Sequence, residues 1–334
     1  MDEPLRWGIL GAANFALNHM APAIHSAKNA ALVALATRDS TRATPFQAFC
    51  PGLRVHESYE SLLADPEVDA VYIPLPNSLH VEWSARAMDA GKHVLCEKPL
   101  AMHSQDIDAL IAQRDRTGLM MAEAFMIVHH PQWQRVKALL ADNAIGELLH
   151  INGLFSFRNT DVENIRNRPE MGGGGLPDIG VYTLGSTRFA TGLEPEILSA
   201  SLAYENGVDV KAEVHGRVGS ASLFTMLSTR MHPYQEMLFH GTHGFLKLKV
   251  PFNAGVFGEP RLEHSRDGAP LAVERWPTTA QYVEQVEAFG RSVRGSAAFP
   301  WTLEDARGTQ KVLEQVFAVA EKAETPAGDA GTSG

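Results

Sequence analysis

Asp178 and Tyr182 stand four positions apart in the segment GGGGLPDIGVY at 172–182. A four-residue step on a helix puts both side chains on one face. The segment therefore predicts a carboxylate and a phenol side by side near a helix start. A third group, the Lys98 amine, sits in Glu97-Lys98-Pro99, directly after the apolar run Val94-Leu95-Cys96. An amine, a phenol and a carboxylate in one pocket form a proton-transfer set for oxidising an alcohol or reducing a carbonyl. In that reading Tyr182 is the general acid or base. Lys98 orients the substrate hydroxyl and, as an adjacent cation, favours the phenolate of a group that otherwise titrates near about 10. Plainer readings stand beside these. Lys98 is a surface lysine, Tyr182 a core tyrosine, and Asp178, after Pro177, an early-helix acid favoured by the helix dipole. The glycines at 172–175 fit a backbone that passes close to substrate or cofactor, or else a linker.

The elements that must carry these groups read as two kinds. Up to about residue 125, apolar runs alternate with helical stretches. The runs are Trp7–Leu10, Ala31–Ala36, Ala70–Ile73, 93–96 and 119–122, with a short extended piece at 53–55. Helices are predicted at 17–28, 41–49, 58–64, 78–90 and 103–117. Continuous apolar runs suit strands buried on both faces, and the alternation predicts a doubly wound parallel sheet of the Rossmann type over 1–125. Beyond it the pattern changes. A helix at 131–141 and one at 179–191 accompany strands at 150–157, 197–205, 208–217, 220–228, 236–241 and 245–250, with closing helices at 280–294 and 303–322. Strands joined by short turns predict a second α/β domain over 126–325 with a large, mostly antiparallel sheet. The tail at 326–334 reads as disordered.

Composition narrows the function classes. The chain has 334 residues, 45% hydrophobic and 20% charged, and a net charge of -10. That balance argues against a nucleic-acid partner. Two cysteines, Cys50 and Cys96, predict neither a disulfide framework nor a structural zinc site. The adjacent pair His129-His130 does not share a face, so no metal site is expected. There is no signal-peptide pattern and no apolar run of membrane-spanning length, so a cytoplasmic enzyme away from membranes is the expectation.

A hydride acceptor is the remaining need. The turn after the first strand carries Gly11, Ala13 and Ala16 where the dinucleotide fingerprint has three glycines, with Asn14 and Phe15 between them. A helix N-terminus there offers N–H groups to a pyrophosphate. After the second strand the chain reads Thr37-Arg38-Asp39-Ser40-Thr41-Arg42. An acid at Thr37 would select NAD; Thr37 followed by Arg38 favours the 2′-phosphate of NADP instead, with NAD as the second choice. The plainer reading of Arg38 is a loop charge paired with Asp39.

With those residues in view, the chain resembles the Gfo/Idh/MocA oxidoreductases, the group of glucose-fructose oxidoreductase and inositol dehydrogenase. The likeness is carried by Ala90–Pro99, by Tyr72-Ile73-Pro74-Leu75-Pro76-Asn77-Ser78-Leu79-His80, and by the Asp178–Tyr182 segment. Gly241-Thr242-His243-Gly244 and the stretch from Phe299 to Asp305 add to it. Tyr182, with Ala122–Met126, resembles the branch of dimeric dihydrodiol dehydrogenases and NADP-dependent D-xylose dehydrogenases. The resemblance implies cofactor contacts from Pro74, Leu75, Asn77, His80, Glu97, Lys98 and Pro99. It also implies a substrate wall in the second domain and a homodimer or higher homo-oligomer through its open sheet. Lys98, Phe125, Arg158, Asp178 and Tyr182 are the expected substrate contacts. A sugar or small polyol is the expected substrate. A trans-dihydrodiol is the alternative, and a non-catalytic NADP-binding sensor is the alternative of another class.

Overall fold

The computed structural model describes residues 3–324, so the tail at 326–334 lies outside the described residues. Among these, two sheets form. The first has six parallel strands: β1 Leu5–Leu10, β2 Ala30–Ala36, β3 Arg54–His56, β4 Ala70–Ile73, β5 His93–Cys96 and β6 Met121–Glu123. Their spatial order is β3-β2-β1-β4-β5-β6, with parallel pairing throughout. All four residues of β4 are buried, as the continuous apolar run requires. This is the doubly wound Rossmann sheet that the alternation predicted. The order reverses between β1 and β4, and open sheets of this kind bind ligands beyond the strand ends at that reversal.

The second sheet has nine strands: β7 Leu148–Arg158, β8 Glu196–Glu205, β9 Val208–Val218, β10 Ala221–Ser228, β11 Arg230–Gly241, β12 Gly244–Leu248, β13 Arg261–Arg266, β14 Ala272–Arg275 and β15 Ala320–Glu324. The order is β14-β13-β12-β11-β7-β10-β9-β8-β15. Pairing is antiparallel except for β10 with β7 and β15 with β8, which bears out a large, mostly antiparallel sheet. Burial alternates along β9 and β10, the signature of a sheet with one covered face. The helix Val181–Thr191 is buried at every position from Val181 to Ala190, so it is a core helix rather than an amphipathic one.

Three strands escaped the sequence reading. β13, Arg-Leu-Glu-His-Ser-Arg, is short and polar, and β14 is an exposed edge. The helix expected over 303–322 stops at Val319, and the chain continues as β15 alongside β8. Pairing with an existing edge overrides the local helical preference of Ala-Glu-Lys-Ala-Glu.

The chain divides into two compact units. One comprises the chain up to His130 with Ala280–Arg307; the other comprises Pro131–Thr279 with the chain from Gly308 on. The single division placed near residue 125 therefore misses a return of the chain. Phe289, on the helix Gln281–Val293, packs its ring 5.0 Å from that of Trp7. Arg294 donates to the carbonyls of Glu3 and Asn29, and the Trp301 indole donates to Glu123 at 2.9 Å. Nothing local in 280–307 announces these long-range partners.

Candidate active site

The candidate residues fall into two groups, one in each unit. In the first unit, β1 runs into Gly11, whose φ of 103° is a conformation that side chains rarely adopt. A Cβ there would also sit 3.0 Å from Leu75. Ala13 follows half-buried, Asn14 exposed, and Phe15 half-buried against His19 and Tyr282. From Ala16 the helix opens with a wide π turn, Ala16–Met20. Gly11 is thus kept where the backbone conformation needs glycine, and small alanines stand at the other two positions.

At the end of β2 the buried Thr37 hydroxyl donates to the Asp39 carbonyl and accepts from the Asp39 amide. The Asp39 carboxylate receives Thr41 N–H and hydroxyl at 3.0 and 2.6 Å. Those bonds, with the charge of Arg42, hold its pKa below the usual range. No ion pair joins Asp39 to Arg38 among the described residues, so the pairing in the plainer reading of Arg38 is not formed. Arg38 is exposed. Arg42, which the sequence reading passed over, reaches back to donate to the Ala12 carbonyl at 2.7 Å. Burial raises the Tyr59 phenol, and the charges of Arg38 and Arg42 oppose that rise. The Tyr59 oxygen also lies 3.4 Å from where a Gly11 Cβ would be. Two guanidiniums and a phenol thus border the glycine turn. The signal for Arg42 was its place one short turn after Arg38.

The strand end at β5 is tied from several sides. Tyr72 donates to Glu97 at 2.6 Å, and the Lys98 amide donates to the other Glu97 oxygen at 3.3 Å. Burial pushes the Glu97 carboxyl up to about 7, against the pull of Lys98 and Tyr72. His80 is fully buried, with both ring nitrogens on backbone carbonyls, of Pro99 and Leu75, at 2.8 Å each. His80 thus staples the loop at 74–77 to the Glu97-Lys98-Pro99 turn. Pro74 and Asn77 are half-buried in that loop, and Leu75 is buried. Phe125 is also fully buried, 4.7 Å from the Trp301 ring. It packs in the core behind the strand ends.

In the second unit the helix that follows the glycine run begins with a π turn, Leu176–Gly180, and continues through Thr191. Asp178 and Tyr182 are both buried on it. The Arg166 Nε donates to Asp178 at 2.6 Å. The Tyr182 ring packs against Phe155 and Phe252, at 5.6 and 5.5 Å. Phe155 and Phe252 stack at 4.9 Å, and Trp133 stacks on Phe252 at 6.4 Å. Aromatic contacts of this kind contribute about 0.5–1.5 kcal/mol per pair. Arg158 is exposed at the end of β7, opposite Arg230. It is Arg166, twelve positions from Asp178 in sequence, that engages the carboxylate.

The glycine run has a different purpose from the one expected. A Cβ on Gly173 would lie 2.7–2.8 Å from the carbonyl oxygens of Ile165, Arg166 and Arg168, and one on Gly174 would lie 2.3 Å from an oxygen of Asp209. The close approach is to the chain's own loop and to β9.

Comparison with known proteins fits this construction. The family model described as the oxidoreductase family with an NAD-binding Rossmann fold matches residues 5–125, and the GFO/IDH/MocA C-terminal domain matches 133–247. The chain belongs to the Gfo/Idh/MocA family. It is an NAD(P)-binding oxidoreductase of that group. An uncharacterised oxidoreductase of Rhizobium meliloti is 38% identical over 95% of this chain and 97% of its own length. The NADP-dependent D-xylose 1-dehydrogenase 2 of Haloferax volcanii is 31% identical over 97% of this chain and 98% of its own. A crystal structure of a 3-ketoreductase from Actinomadura kijaniata with NADP and TDP-benzene superposes with a TM-score of 0.90 at 29% identity. It covers 97% of this chain and all of that one. Solved variants of that reductase carry changes at a lysine and at a tyrosine that are as far apart in sequence as Lys98 and Tyr182 are here.

Among the described residues no group of three or more His, Cys, Asp or Glu is placed to hold a metal ion. Burial drives His129 down to about 3 and His130 to about 4, so both rings are neutral core groups. No helix among the described residues is long and apolar enough to cross a membrane.

Proposed function

We propose that this protein is an NADP-preferring dehydrogenase or reductase acting on a CH–OH or carbonyl group of a sugar-type substrate. Lys98 and Tyr182 act on one substrate oxygen. A bound nicotinamide supplies or accepts the hydride. In oxidation Tyr182, as phenolate, takes the hydroxyl proton; in reduction its phenol returns a proton to the same oxygen. Lys98 orients that oxygen and favours the phenolate. Asp178, charge-paired with Arg166, fixes the polar edge of the site. Arg38 and Arg42 take the 2′-phosphate, and the turn at Gly11 lets backbone approach the pyrophosphate.

The observation that carries this reading is the pair Asp178 and Tyr182 held on one buried helix, in a chain similar along nearly its whole length to NADP-dependent sugar oxidoreductases. A cytoplasmic location and a homo-oligomer through the nine-stranded sheet belong to the same reading. The exposed Leu149, Leu198 and Met231 on that sheet support the latter. The test is NADPH fluorescence across a panel of free aldoses, nucleotide-linked ketosugars and trans-dihydrodiols. Turnover of a sugar, with NADP favoured over NAD, is expected. Turnover of dihydrodiols alone would replace the substrate class, and NADP binding without turnover of any member would make the protein a sensor.

A further inference from the structure

Asp209 is a buried carboxylate on β9 that the proton-transfer scheme does not use. The residue is 3% exposed. It accepts the Leu176 amide at 2.5 Å, and the Gly175 amide also donates to it. Burial and the neighbouring charge of Asp178 push it up to about 6 despite those bonds. These amides are among the first of the helix that carries Asp178 and Tyr182, where N–H groups have no intrahelical partner.

The glycine run is shaped around this carboxylate. Gly174 takes a φ of 129°, and a Cβ on it would meet Asp209 Oδ1 at 2.3 Å. The Gly174 amide in turn donates to the Arg166 carbonyl at 2.9 Å, and Arg166 is the residue whose guanidinium holds Asp178. The same short stretch therefore fixes the helix start from below, through Asp209, and its charged partner from the side, through Arg166.

We propose that Asp209 is a positioning residue for this oxidoreductase. Its carboxylate locks the first turn of the Asp178–Tyr182 helix onto β9 and so sets where the phenol stands. The glycine run exists to admit that carboxylate. The proposal rests on the reading that Tyr182 moves the proton, but the anchor itself is measurable without it.

The experiment uses the full chain and three variants: Asp209→Ala, Asp209→Asn and Gly174→Ala. Amide hydrogen exchange over residues 174–182 is followed in the nucleotide-free protein. NADP affinity is measured by titration, and kcat and KM with a substrate found in the panel. Losing a hydrogen bond to a charged acceptor makes Asp209→Ala speed exchange at 175–178 by roughly tenfold or more. The kcat should fall by a similar factor, with NADP affinity unchanged. Asp209→Asn keeps one acceptor oxygen, so it should lie between parent and Ala in both readouts. Gly174→Ala keeps the charge but displaces the carboxylate, and should resemble Asp209→Ala. If Asp209→Ala does not fold, Asp209→Asn decides: faster exchange together with lower kcat supports the anchor. Unchanged exchange, or faster exchange with parental kcat, overturns it, as does a loss confined to NADP affinity. A Tyr182→Phe protein with parental turnover would instead overturn the reading of the phenol, leaving the exchange data to judge the anchor by itself.

Discussion

Lys98 and Tyr182 are held in contrasting ways. Lys98 leaves the end of β5, whose last three residues are buried. Its immediate neighbours provide much of the setting: Glu97 beside it takes the Tyr72 hydroxyl, and Pro99 after it takes His80. Tyr182 depends on remote parts of its unit. Phe155 and Phe252 pack against the ring, Arg166 pairs with Asp178, and Asp209 takes the first amide of the helix start. A strand end in a parallel sheet is placed by backbone pairing, so one local motif suffices to locate its amine. A helix start following a glycine run has no such template, and tertiary contacts must supply it.

The largest expected effect bears on which group carries the proton. Tyr182→Phe preserves the ring that packs against Phe155 and Phe252, so packing should hold. Hydride transfer should drop by at least about a hundredfold, with NADP affinity retained. Asp178→Asn should do less, because it weakens the pairing with Arg166 and leaves a proton carrier in place. Measured in both directions with one substrate, the reverse ranking would assign the acid–base role to the carboxylate.

Lys98→Met tests the other side of the contrast. It keeps length and removes charge, and turnover should again fall by about a hundredfold, with the residual pH profile moved upward. Near-normal turnover at neutral pH would leave Lys98 as a strand-end lysine with no part in the chemistry.

A smaller effect separates the two arginines at the glycine turn. Arg38→Ala should weaken NADP more than NAD, by roughly 1.5–3 kcal/mol for a lost charged hydrogen bond. Arg42→Ala also removes the bond to the Ala12 carbonyl, so it should weaken NAD as well. Equal losses of NADP and NAD in Arg38→Ala, read by fluorescence titration, would sink the assignment of Arg38 to the 2′-phosphate.

An effect on stability rather than activity concerns Glu97. Its carboxyl is raised to about 7, whereas an unfolded glutamate titrates near about 4.3. The folded chain then binds this proton more tightly than the unfolded chain. The group's contribution to stability is fully present below about 4.3 and is lost as pH rises through about 7. Glu97→Gln cannot titrate, so its melting temperature relative to the parent should climb between about pH 4.3 and pH 7 and level off above that. A difference independent of pH would show that burial does not raise this carboxyl.

Much of the chain was legible from residue patterns alone. The parallel sheet followed from apolar runs alternating with helices, because strands buried on both faces admit little else. The glycine demanded after the first strand stands at Gly11 with a φ of 103°, and Asp178 and Tyr182 do lie on one buried helical stretch. What the tertiary structure decided lies in contacts between residues far apart in sequence. The return of 280–307 to the first unit, the tie of Arg42 to Ala12, the His80 staple, Arg166 on Asp178 and Asp209 under the helix start all depend on chain closure, which no local periodicity encodes. The glycine run shows the limit most clearly. Its composition fitted either a close backbone approach or a linker, and only the fold decided that the backbone passes close to the protein's own loop and a buried carboxylate.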